Sequence, residues 1–190
     1  MDAAFPMKEI EDIVRSARSS INELAAIRAG IAALPGIEMT GVTGWLENVS
    51  ITTAMTGGLQ HERDTLASIE SLGLAIAPVI AGWFAGDGSE VLLRRYEVCP
   101  GEKLRRVAMD YSFTVTDVAR QRFVADLGRL ADAGYMHAAS ARAATHWLYS
   151  ERTRWIVLDG WAALKPLKDR DEVFESVLSN LDFVNSRASS

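Results

Sequence analysis

Residues 104–116 read Leu-Arg-Arg-Val-Ala-Met-Asp-Tyr-Ser-Phe-Thr-Val-Thr, and the reading of this stretch decides the fold. Val107, Met109, Tyr111, Phe113 and Val115 alternate with Ala108, Asp110, Ser112 and Thr114. Successive side chains of a strand point to opposite faces, so a period of two marks one apolar and one mostly polar face. No other segment alternates so cleanly. The stretch is expected to be the central strand of an antiparallel sheet.

Working outward toward the N-terminus, Cys99-Pro100-Gly101-Glu102 reads as a turn into a preceding strand, Glu90 to Val98. Gly86-Asp87-Gly88 is a hairpin signal, and Pro78 to Ala85 is apolar on both faces, as in a buried strand. These pieces make a three-stranded meander. Before it, Gln60 to Leu72 reads as a short helix ended by Gly73.

Outward in the other direction, Thr116 is suited to cap a helix from Asp117 to Ala133, with Ala119, Phe123, Leu127, Leu130 and Ala131 inward and Gly134 as its stop. Thr145 to Ser150 and Arg154 to Leu158 read as a second hairpin through Glu151-Arg152. Asp169 with Glu172 three residues on is a capping box for a last helix, whose Val173, Phe174, Val177, Leu178 and Leu181 face the core.

The N-terminal part carries a sustained stripe, Met7, Ile10, Val14, Ala17, Ile21, Leu24 and Ile31, over a helix from Pro6 to Leu34 that Pro35 and Gly36 end. At 1.5 Å per residue this helix is about 40 Å long, longer than a small domain is wide, so it either overhangs the body or breaks near Gly30. Its stripe is either laid on its own sheet or is the seam of a coiled coil.

The expected fold class is therefore α+β: an antiparallel sheet of about five strands with helices packed on it, in the order α-βββ-α-ββ-α after the long N-terminal helix. The division is 1–35 long helix, 36–58 Gly- and Thr-rich connector or hairpin, 59–183 α+β domain and 184–190 frayed tail. In element order from Gln60 onward the chain resembles the fold shared by type III secretion chaperones and related small bacterial domains, a likeness of fold that says little about function.

The formal net charge of −5 argues against a nucleic-acid partner, since phosphate backbones are held by basic stripes. Cys99 is the single cysteine, so no intramolecular disulfide forms, as expected of a reducing, cytoplasmic setting. No leader pattern opens the chain and no apolar run is long enough to cross a bilayer. His61-Glu62 begins like a zinc-protease helix, but Thr65 stands where the second histidine belongs. Cys99 has cationic neighbours and no evident base. His137, His146 and Asp159 are placed where they could meet, without a motif behind them. No metal and no cofactor is expected.

Across a hairpin centred on Pro100-Gly101, Arg94 and Arg95 fall opposite Arg106 and its neighbour Arg105. Four arginines then cluster in an acidic chain, either neutralised by Glu90, Glu97, Glu102 and Asp110, or open to an acidic segment of a partner. Together with the helix residues Ile10, Val14, Ile21 and Leu24 they are the candidate partner-binding set, and the helix is the candidate route to a homo-oligomer. The leading expectation is a non-enzymatic protein-binding or assembly factor of chaperone type. The alternative is a small-molecule binder or an enzyme, with a pocket between sheet and helices lined by Trp83, Trp147 and Trp155.

Overall fold

Val49–Met55, rich in β-branched side chains, forms the middle strand of a five-stranded antiparallel sheet in the computed structural model, which describes residues 5–98, 101–137 and 145–188. The strands are β1 (Glu38–Thr40), β2 (Thr43–Leu46), β3 (Val49–Met55), β4 (Val79–Ala85) and β5 (Ser89–Arg95), in the order β1-β2-β3-β5-β4. Residues 36–58 thus supply three of the five strands, the hairpin alternative of the sequence reading. Gly86-Asp87-Gly88 connects β4 to β5, as its turn-forming residues imply.

Two helices cover one face of the sheet. The expected single N-terminal helix is broken into α1 (Met7–Ala17) and α2 (Glu23–Ala32), and Asn22 caps the second by accepting a hydrogen bond from the Ala25 amide at 3.2 Å. The break lets both halves of the stripe fold back on the sheet. Ile10, Val14, Ala17, Ile27 and Ile31 pack against Ile37, Val49, Ile51, Val91 and Leu93. Gly30 permits the close crossing: a Cβ there would sit 2.7 Å from Cγ2 of Ile13.

The opposite face meets α3 (Gln60–Ile69) and the second half of the chain. That half consists of β6 (Leu104–Arg106), α4 (Asp117–Asp132), β7 (Tyr135–His137), β8 (Trp147–Ser150), β9 (Ile156–Leu158), β10 (Leu164–Pro166) and α5 (Arg170–Arg187). β6, β8 and β9 make a three-stranded sheet, and β7 pairs with β10. Phe123, Leu127, Trp147, Trp161, Val177 and Leu181 centre the largest apolar cluster, which reaches Leu66 and Ile69 of α3. Buried Asp126 of α4 accepts the Ile76 amide at 2.9 Å and ties the two halves together. The caps at Thr116 and Asp169 form as expected.

The α+β class with a five-stranded antiparallel sheet holds, but 104–116 is not its central strand. Only Leu104–Arg106 is extended and paired. Val107–Met109 winds into a 3₁₀ turn, and Asp110 accepts the Ser112 amide at 2.9 Å and its hydroxyl at 2.6 Å. The carbonyls of Val107 and Asp110 are taken by the Arg187 guanidinium rather than by a neighbouring strand. Val107, Phe113 and Val115 are buried as the alternation implied, whereas Met109 and Tyr111 are exposed. A short-range Asx turn therefore wins over the alternation. β5 consequently does not run on into a meander, and its partners are β3 and β4.

Candidate functional site

Where α3, β5 and the end of β9 meet, four charges alternate in a line. Glu62 of α3 is bonded to Arg94 of β5 at 2.5 Å. Arg94 lies 3.7 Å from Oδ1 of Asp159, and Oδ2 of Asp159 lies 3.2 Å from Arg106. Their side chains are 10%, 4%, 14% and 43% exposed in that order, so the line runs from the interior to solvent.

Each member is positioned by its element. Glu62 shares a helical face with Leu66 and Ile69, which places a carboxylate against the sheet. Its Oε1 also accepts the backbone amide of Trp161 at 3.2 Å. Arg94 projects from the sheet face opposite to Leu93 and donates to the Thr52 hydroxyl on neighbouring β3 at 2.7 Å. Burial opposes its charge, yet Tyr96, Glu62 and Asp159 hold its pKa above the ordinary arginine value. Asp159 accepts the Gly160 amide at 2.9 Å and the Tyr96 hydroxyl at 3.4 Å. Burial, and then the Asp159 charge, push that hydroxyl well above its ordinary pKa, so it stays protonated as a donor.

Gly160 takes φ +78°, and a Cβ there would lie 3.2 Å from Nδ1 of His146. The Asp159 amide donates to the His146 carbonyl at 3.0 Å, and buried His137 stands edge-on to Trp161 at 4.7 Å. His137, His146 and Asp159 thus converge around Gly160. Burial, and then the His146 charge, drop the His137 pKa to about 4, so its imidazole is neutral at pH 7. No group of three or more metal-ligating side chains occurs among the described residues.

The sequence-predicted arginines are placed as follows. Arg94 and Arg106 do come together, though not across a hairpin: they lie in different sheets and share Asp159. Arg105 pairs with Glu151 at 3.2 Å, and Arg95 is exposed at the end of β5. The expected neutralisers differ too, since Glu90 is buried and accepts the Leu59 amide. Ile10 and Val14 are buried in the chain's own core, Ile21 is exposed in the turn between α1 and α2, and Leu24 is half-buried. Cys99 lies outside the described residues. Trp83, Trp147 and Trp155 do not line one pocket: Trp147 is in the core, Trp83 stacks under Arg63 and Trp155 under Arg122. Glu62 and Thr52 were missed. The available signal was a carboxylate inside the Leu66–Ile69 stripe, which demands a buried cation.

No protein-family model matches the sequence, and no curated protein matches it. Solved structures do. The Cydia pomonella granulovirus kinase PK-1 matches with TM-score 0.46 and 12% identity, over 75% of this chain and 57% of that one. Vaccinia related kinase 3 matches with TM-score 0.38 and 14% identity, over 70% of this chain and 53% of that one. The chain spans little more than half the length of these kinases. The solved structures set against the expectation of a chaperone-like, non-enzymatic assembly factor are thus enzymes, and that expectation is withdrawn along with the element-order resemblance to secretion chaperones.

Proposed function

We propose that the seam between the five-stranded sheet and the β8–β9 hairpin binds a nucleoside triphosphate together with a divalent cation, and that phosphoryl transfer is its reaction class. The observation that carries the reading is the buried line Glu62–Arg94–Asp159, in which helix, strand and post-strand residue each supply one charge. Buried ion clusters add little net stability, and strongly perturbed groups gather at functional sites. Phosphoryl transfer asks a protein chiefly for placed charge: a cation oriented by a helix carboxylate to meet phosphate oxygens, and a carboxylate for Mg²⁺.

Arg94, oriented by Glu62 and Thr52, fits the first part. Asp159 fits the second. Its contacts to Arg94, Arg106 and Tyr96 are 3.7, 3.2 and 3.4 Å, longer than saturated charge-assisted bonds, so the carboxylate keeps capacity for a cation. Mg²⁺ is held by one or two carboxylates plus phosphate oxygens, so a single aspartate matches it, and the ion would neutralise phosphate charge there. Exposed Arg106 is the partner an incoming ligand displaces first. A cytoplasmic setting, where nucleoside triphosphates are plentiful, suits this reading.

Calorimetric titration of the full chain with ATP, with and without Mg²⁺, tests it. Magnesium-dependent binding that Asp159→Asn removes, with release of labelled phosphate that is lost in the same variant, is the expected result. A folded protein showing no nucleotide binding in either condition overturns the reading.

A further inference from the structure

A second cavity lies along β6. A cavity of about 600 Å³ is lined by Lys103, Arg105, Arg106, Asp110, Tyr149, Glu151 and Arg154, with further wall from Leu104, Met109 and Ser112. Its size falls within the range of small-molecule sites. Four cations face two carboxylates, in a chain whose formal net charge is −5. The carboxylates are committed. Asp110 accepts the Ser112 hydroxyl and amide and the Tyr149 hydroxyl, and those bonds, the Ser112 hydroxyl first, hold its pKa at about 2. Glu151 is paired with Arg105 at 3.2 Å. Lys103 is bonded to Glu38 and Arg106 to Asp159.

Arg154 is different. Among the described residues no carboxylate or carbonyl meets its guanidinium, which lies over the rings of Phe113 at 5.6 Å and Tyr149 at 5.9 Å. It is half-buried, and its backbone is held at φ +58°, a conformation that L side chains other than Asn and Asp rarely adopt. The Arg154 amide donates to the Ser150 carbonyl at 2.8 Å, which fixes this geometry. Strain of this kind collects at ligand clamps. Glycine is the residue the backbone prefers here; arginine is the residue the cavity uses.

We infer that this cavity is a binding site for the phosphate group of a small phosphomonoester, with Arg154 as its clamp and Lys103 and Arg105 flanking it. A phosphomonoester carries a charge of about −1.5 to −2 near neutrality, which suits a lining in which Arg154 has no carboxylate partner. The planar guanidinium matches its oxygens two at a time. The two sites share Arg106, which lines this cavity and pairs with Asp159, but the group that distinguishes this one, Arg154, takes no part in the Glu62–Arg94–Asp159 line.

The test is calorimetric titration of the full chain with inorganic phosphate, phosphoserine and glutamate. Phosphate and phosphoserine are expected to bind and glutamate not. Arg154→Gly removes the guanidinium and the strain together, so it is expected to raise the thermal midpoint while weakening phosphate roughly tenfold or more. Arg154→Lys is expected to retain part of the affinity. Asp159→Asn is expected to leave phosphate binding intact and Arg154→Gly to leave ATP binding intact, so failure of one site is told from failure of the other. No binding at millimolar phosphate, unchanged affinity in Arg154→Gly, or glutamate binding as well as phosphate overturns the proposal.

Discussion

Arg94 is 4% exposed at its side chain and sits between two carboxylates, a position costly to vacate on one side alone. Arg94→Met leaves Glu62 charged and buried, and is expected to cost about 3–5 kcal/mol in urea unfolding. Adding Glu62→Gln removes the stranded charge while keeping an oxygen for the Trp161 amide. The double variant is therefore expected to recover most of that loss and to remain unable to bind ATP. Recovery of nucleotide binding as well would place the pair outside the site. His137 carries a pH dependence of definite sign. Its pKa is about 4 folded, against 6.5 as the ordinary value, so between these values the unfolded chain holds more protons. Stability is then complete above pH 6.5 and falls by about 3 kcal/mol as pH drops through 4. Comparing urea midpoints near pH 7 and pH 4.5 measures it, and His137→Gln should flatten the slope.

At the scale of elements, the break between α1 and α2 does two jobs. Asn22 caps α2, and Asn22→Ala is expected to lower stability by about 1 kcal/mol. Glu23, the first residue of α2, reaches the β4–β5 hairpin: it accepts the amides of Asp87 at 3.1 Å and Gly88 at 3.0 Å and the Ser89 hydroxyl at 2.6 Å. Those bonds, the Ser89 hydroxyl first, hold its carboxyl below the ordinary range. Glu23→Ala should speed amide exchange at residues 87 and 88 without touching that of β3. Equal exchange in both proteins would show the hairpin to be held by its own turn chemistry. The hairpin was legible because Gly-Asp-Gly between two extended runs is turn-forming chemistry. The clamp was not, because a glutamate at the start of a helix is ordinary until the fold brings a turn to it.

For the whole molecule, the N-terminal helices act as a lid on the sheet rather than as an appendage. Removing residues 1–33 would uncover Val49, Ile51, Val91 and Leu93, all at most 4% exposed. The truncated chain is expected to aggregate, read by soluble yield and sedimentation; a soluble, monomeric product would instead show that the sheet does not need this cover. No helix among the described residues is long and apolar enough to cross a membrane.

Local chemistry determined what the sequence by itself could determine. The caps at Thr116 and Asp169, the stop at Gly134, the Gly-Asp-Gly hairpin and the burial of Phe113, Phe123 and Val177 follow from propensity and periodicity within a few residues. Tertiary structure decided which strands neighbour one another and that charges at positions 62, 94, 106 and 159 form one line. The physical reason is range. A turn or cap is settled by groups a few residues apart, whereas the partner of a buried charge is chosen by whatever segment the folded core delivers to it.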